Sequence, residues 1–142
     1  MKNIFHQGAI SPSFIADSIA KHSSKHTIGA HSIFMGQVRA DEQQGERVNA
    51  INYTAYEEMA LQCIHQLREK MFEKYELICM HVYHSLGRVP CGEICLFVFV
   101  SSKHRRNAIR ACEELVEGIK KELPIWGEEL FENEKKIWKQ NN

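Results

Sequence analysis

The sequence has no excess of charge of either sign: 18 lysines and arginines balance 18 aspartates and glutamates, a formal net charge of zero. A neutral chain sets up no general field for nucleic acid or anionic lipid, so neither is expected as a partner and any anion site must be built locally. Long apolar runs are absent too. The longest, Ile94 to Val100, falls far short of the ~20 residues that cross a bilayer. The start, MKNIFHQGAISPSF, lacks the basic beginning and unbroken apolar core of a secretion signal. A cytoplasmic protein is expected, with no membrane association.

Metal and redox motifs are also missing. The cysteines, Cys63, Cys79, Cys91, Cys95 and Cys112, are scattered through apolar segments, which suits buried, reduced thiols. Cys91-Gly-Glu-Ile-Cys95 lacks CxxC spacing, and no second ligand pair follows at zinc-finger distance. His81 and His84 stand three apart on an expected strand and so face opposite sides, while His22 and His26 flank a serine pair in an expected loop. No metal site is expected. The absence of a serine elbow, a P-loop, a dinucleotide fingerprint and HExxH removes the commonest hydrolase, nucleotide and zinc-protease readings.

What is present is an ordinary globular composition, 44% hydrophobic and 25% charged. No linker, repeat or low-complexity tract divides the chain, so residues 1–142 are expected to form one domain. Ser11 before Pro12 reads as a helix N-cap with proline at the first helical position, opening a helix to about His22 whose Phe14, Ile15 and Ile19 share a face. Ile28 to Met35 is rich in strand formers and ends at Gly36; Gln37 to Arg47 is polar, aperiodic and reads as a mobile loop.

A strand from Val48 to Tyr56 leads into a helix over Glu57 to Lys74, with Ala60, Ile64, Leu67 and Met71 at helical spacing and acids ahead of bases along the dipole. Leu77 to His84 and Ile94 to Val100 read as a hairpin around a turn from Ser85 to Glu93. A last helix, Arg105 to Leu123, carries a seam of Ile109, Cys112, Val116, Ile119 and Leu123 and stops at Pro124. The fold class is α+β, with mixed or antiparallel pairing.

Three places carry chemistry. Ser101-Ser102-Lys103-His104-Arg105-Arg106 lies where a buried strand ends and a helix begins, so side chains and free backbone N–H groups can converge on an anion. Cations are unfavourable at the positive end of a helix dipole, so this basic cluster needs a reason beyond solvation. On the last helix, Lys120 lies roughly 80° from the centre of the seam and Lys121 nearly opposite it, at about 100° per residue. A lysine at the edge of an apolar face can be partly desolvated and serve as acid, base or nucleophile, although on this spacing alone a lysine that snorkels to the surface is the commoner case. Arg39 opens the polar loop just past a strand end, where a guanidinium can swing onto a phosphate or carboxylate.

Several segments together resemble the molybdopterin synthase catalytic subunit family between Gly29 and Trp126: Ile33-Phe34-Met35-Gly36-Gln37-Val38-Arg39, Tyr53-Thr54-Ala55-Tyr56-Glu57-Glu58-Met59-Ala60, His84-Ser85-Leu86-Gly87 with Gly92-Glu93, Ser101-Ser102-Lys103-His104-Arg105, and Lys120 followed by Pro124-Ile125-Trp126. Their joint spacing is far more specific than any one motif. The resemblance implies an α/β hammerhead-type fold in a homodimer, with one small ubiquitin-like (β-grasp) sulfur carrier docked on each subunit to give a heterotetramer. It implies a sulfurtransferase: the carrier's C-terminal thiocarboxylate converts cyclic pyranopterin monophosphate to the dithiolene of molybdopterin, with no metal or cofactor held by this subunit. It further implies that Lys120 is the catalytic lysine and that Arg39, His104 and Arg105 bind the substrate phosphate and the carrier's carboxyl group.

One position departs from the family pattern. A second lysine usually follows the Pro-Ile-Trp motif, and here Gly127, Glu128 and Glu129 stand there instead, with Lys135, Lys136 and Lys139 further on. That departure sustains an alternative, a non-catalytic paralogue that binds the carrier or the pterin.

Overall fold

A computed structural model of the chain describes residues 3–133 and 136–140, so Lys135 lies outside the described residues. The elements run β1 (Phe5–Gln7), α1 (Pro12–Ala20), β2 (Ala30–Gln37), β3 (Glu42–Gln43), β4 (Glu46–Ala55), α2 (Glu57–Tyr75), β5 (Cys79–Pro90), β6 (Ile94–Ser102), α3 (Arg105–Glu122), β7 (Ile125–Phe131) and β8 (Lys136–Trp138). The strands form one sheet in the order β2-β6-β5-β4-β7-β8, with β1 added parallel to β5 and β3 antiparallel to β4. Every other pairing is antiparallel, so the α+β class with a mixed sheet stands.

The apolar run of β6 is buried because the sheet is covered on both sides. Leu96, Val98 and Val100 pack with α2 and α3, while Phe97 and Phe99 pack with Ile10 and Ile15 beside α1. Alternate residues of a strand face opposite sides, so a strand covered on both must be apolar throughout. Helix α2 buries the four residues its periodicity picks out, Ala60, Ile64, Leu67 and Met71. In α1 the Ser11 hydroxyl accepts from the Phe14 N–H at 3.1 Å, the expected N-cap.

Three local expectations are corrected. Ser85 to Glu93 is no simple turn: β5 runs on to Pro90, pairing with β6 through His84 and with β4 from Gly87. Gly87, at a φ of 82°, sits where the strand changes partner, a backbone state that only glycine adopts without strain. The polar loop is also ordered in part, since Gln44 and Gly45 both take positive φ, as a two-residue type I′ hairpin between β3 and β4 requires.

The third correction concerns the seam of α3. Its buried residues are Ala108, Ala111, Cys112, Leu115 and Ile119, while Ile109 is 56% exposed. Small alanines let the helix approach closely, so its face is turned from the one that the larger side chains mark. The strands β1, β7 and β8 have no counterpart in the sequence expectations. Among the described residues, no helix is long and apolar enough to cross a membrane.

Candidate active site

Lys120 lies in the last turn of α3, half-buried, while Lys121 beside it is exposed. The expected difference between the two therefore holds, because Lys120 follows the buried Ile119 and still reaches the edge of the core face. It lines a narrow recess of about 30 Å³ with Tyr53, His84, Ile119, Leu123, Ile125, Gly127 and Lys139. That volume admits roughly one water molecule.

Each wall of the recess follows from local structure. His84 points to the side of β5 opposite His81 and is buried, its Nδ1 donating to the Ser85 carbonyl at 2.8 Å. Its ring meets Tyr53 of β4 edge-on, with centroids 5.0 Å apart. Gly127 is buried in β7 opposite Tyr53. A Cβ at Gly127 would come within 2.8 Å of Ile51 Cγ2 and 3.1 Å of Tyr53 Cε1, so the position has no room for a side chain. The following segment folds back instead: β8 pairs with β7, and the Lys139 N–H donates to the Gly127 carbonyl at 2.7 Å. Lys139 thereby lines the same recess as Lys120.

The electrostatics follow from burial and from the two lysines that line the recess. Burial lowers the pKa of the Lys120 ammonium; a Cys95 thiolate would oppose this and the Lys139 charge adds to it. Burial also pushes His84 down to about 4, against the Ser85 carbonyl and with the help of Lys120, so its imidazole is neutral at pH 7. The Tyr53 hydroxyl is pushed up, first by burial and then by Cys95 and Glu129, and stays protonated. Neutral imidazole and phenol therefore line the recess beside two lysines, with the buried Glu129 carboxylate near enough to act on Tyr53.

Arg39 sits on an adjoining groove of about 260 Å³ with Asp41, Gln43, Glu129, Trp138 and Lys139. Its guanidinium is exposed and, among the described residues, held by Asp41 alone at 3.3 Å, so it can turn onto an incoming anion. Lys139 borders both cavities and links Arg39 to Lys120.

His104 and Arg105 lie elsewhere in the chain. They line an open shelf of about 680 Å³ with Gly29, Lys103, Arg106, Ile109 and Arg110, at the N-terminus of α3, where His104 makes no side-chain cap. Gly29 is required there, because a Cβ would collide with the Lys103 carbonyl oxygen. Arg105 and Lys120 mark opposite ends of α3, about 22 Å apart along its axis at about 1.5 Å per residue. One chain therefore brings Arg39 and Lys120 to neighbouring cavities and leaves His104 and Arg105 apart from both.

The sequence marks His84 and Tyr53 only as members of two family-like motifs and gives neither a role in a site, because they reach the recess through sheet pairing. The fold also brings together residues that local spacing kept separate: His22 lies against His81, with Cys79 alongside.

Comparison with known proteins identifies the family and the fold. A family model described as "MoaE protein" matches residues 9–122. The molybdopterin synthase catalytic subunit of Pyrococcus abyssi is 36% identical over 87% of this chain and 82% of its own length. That of Bacillus subtilis is 36% identical over 82% and 74%. Against its relative in Aspergillus fumigatus, 34% identical, the chain spans 64% of that protein's length. The crystal structure of molybdopterin synthase from Staphylococcus aureus superimposes with a TM-score of 0.85 at 28% identity, covering 99% of this chain and 98% of that one. A complex of subunits 1 and 2 of molybdopterin-converting factor from Helicobacter pylori shares the fold, with a TM-score of 0.82 at 23% identity over 97% and 90% of the two chains. A family match across most of the chain, on a fold that sets Lys120 in a cationic recess, means that this chain belongs to the MoaE family.

Proposed function

We propose that the chain is the catalytic subunit of a molybdopterin synthase, a cytoplasmic sulfurtransferase whose single domain works with a small β-grasp sulfur carrier. The carrier's C-terminal thiocarboxylate supplies sulfur to cyclic pyranopterin monophosphate, and two transfers yield the dithiolene of molybdopterin. The observation that carries this reading is Lys120, half-buried beside neutral His84 and a second cation, Lys139, in a recess of a MoaE-family chain.

In this reading the Lys120 ammonium delivers a proton or holds the negative charge that develops as sulfur attacks the pterin carbon. Burial helps twice, by strengthening the attraction to an anionic transition state and by making the proton easier to release. Lys139 takes the place of the second lysine that the sequence lacks at Gly127. Arg39, His104 and Arg105 bind the two anions, the substrate phosphate and the carrier carboxylate. Because α3 separates Arg105 from Lys120 by about 22 Å, a site that uses both draws them from two copies of the chain, which is the role we assign to the homodimer.

The test is direct. The purified protein, a thiocarboxylated carrier and cyclic pyranopterin monophosphate are combined, and dithiolene is read by mass spectrometry. Product is expected from the intact chain. Carrier binding without product would instead support the non-catalytic paralogue.

A further inference from the structure

On the face of the sheet opposite α2 and α3, three metal-ligating side chains converge. Cys79 and His81 are two apart on β5 and so share a face, and His22 comes from the turn that follows α1. One donor atom of each lies within 4.8 Å of the others. Cys79 and His22 are buried and His81 is half-buried. Two grooves, of about 260 and 290 Å³, reach His81 from outside, and the first also borders His22.

The hydrogen bonding of His22 defines what it offers. Its Nδ1 lies 2.7 Å from the Ser18 carbonyl oxygen, which can only accept, so Nδ1 carries the proton. In the neutral ring Nε2 is then a bare lone pair, and it points at His81 Nε2 from 3.0 Å. A carbonyl fixing the far nitrogen while the near one faces other donors is the usual arrangement of a metal-bound histidine. Lys25 Nζ lies 3.0 Å from Cys79 Sγ. Lys25 is exposed, so it can move aside and leave the sulfur to a metal.

We propose that His22, Cys79 and His81 form a binding site for a divalent transition-metal cation, Zn²⁺ by ligand type, with the fourth position open to water or an external ligand. Two imidazoles and a thiolate suit zinc, at about 2.0–2.1 Å for nitrogen and 2.3 Å for sulfur, and tetrahedral coordination would leave these donors roughly 3.3–3.6 Å apart. The two nitrogens must therefore separate slightly and the thiol must close in, changes that side-chain rotation supplies. The site is distinct from the Lys120 recess, because residues facing the α1 side of β5 alternate with those facing α3. It does not depend on the proposed sulfur transfer.

The experiment uses the untagged full chain, stripped with a chelator. We expect one Zn²⁺ per chain by competition with a chromophoric chelator, a thiolate-to-metal charge-transfer band when Co²⁺ is used instead, and Zn²⁺-induced NMR shifts of histidine rings confined to His22, His81 and their neighbour His31. Removing partners one bond beyond a ligand already costs about 10- to 100-fold in affinity. Loss of a direct ligand in His22→Gln or His81→Gln should therefore weaken binding by at least about a hundredfold. Cys79→Ser should remove the Co²⁺ band, whereas Cys91→Ser should leave it. The proposal is overturned if the unsubstituted chain holds no stoichiometric Zn²⁺, if the shifts fall on other histidines, or if Cys91→Ser removes the band. Should Cys79→Ser fail to fold, the NMR shifts in the unsubstituted chain decide.

Discussion

The backbone N–H of Lys139 donates to the carbonyl oxygen of Gly127 at 2.7 Å, tying a late lysine to a position where no side chain fits. If that contact relocates the second cation, Lys139→Ala should slow dithiolene formation about tenfold or more, since a charge-assisted contact is worth roughly 1.5–3 kcal/mol. Lys136→Ala, on exposed β8, should change little. Single-turnover rates of the two variants give the comparison, and equal rates would remove Lys139 from the site.

Gly127→Lys is expected to destabilise the protein by about 1–3 kcal/mol, as overpacking does, because its Cβ alone meets Ile51 and Tyr53. Thermal unfolding would register a lower midpoint and no gain in turnover. A faster, equally stable variant would show that β4 and β7 can open at that point.

Lys120→Ala should lower turnover at least about 100-fold, the lower range for loss of a positioned proton donor, with carrier binding retained. Lys121→Ala should be close to silent, because its side chain is exposed. If the ammonium is the active form, activity falls as pH rises through the lowered pKa of Lys120. Lys139→Gln removes one of the causes of that lowering and should move the alkaline limb to higher pH.

Mixing two inactive variants tests the shared site. In a dimer of Lys120→Ala with Arg105→Ala, one of the two sites keeps both residues if they come from different copies. Random re-association should then restore about a quarter of full activity. A site built within one chain would restore none.

His84 gives stability a defined pH dependence. Its folded pKa, about 4, lies below the ordinary 6.5, so the unfolded chain binds the proton more readily. Stability is full above pH 6.5 and is lost as pH falls from 6.5 towards 4, by up to about 3 kcal/mol. Urea unfolding at pH 7 and pH 5 measures the drop, and His84→Asn should flatten it.

How much of this was legible in the sequence differs by residue. Helix α2 was readable because its four core residues are large or strictly spaced, whereas the face of α3 was misjudged because Ala108 and Ala111 do the burying. Lys120 could be singled out by helical phase alone. His84 and Tyr53 could not, since they meet only through the register that sets Tyr53 against Gly87 and Gly127. Strands β7 and β8 went unread because charge-bearing segments such as Gly127-Glu128-Glu129 in β7 and the three-residue β8 carry little apolar alternation.

The span of α3 between Arg105 and Lys120 makes the helix a gauge with two settings, reach and heading. Deleting four residues from its middle would shorten the reach by about 6 Å and turn the heading by only about 40°, whereas deleting two would cost half that reach and swing Lys120 by some 160°, at about 1.5 Å and 100° per residue. A chain in this family can thus tolerate a lost turn far better than a lost pair, and gaps within α3 should fall in threes and fours.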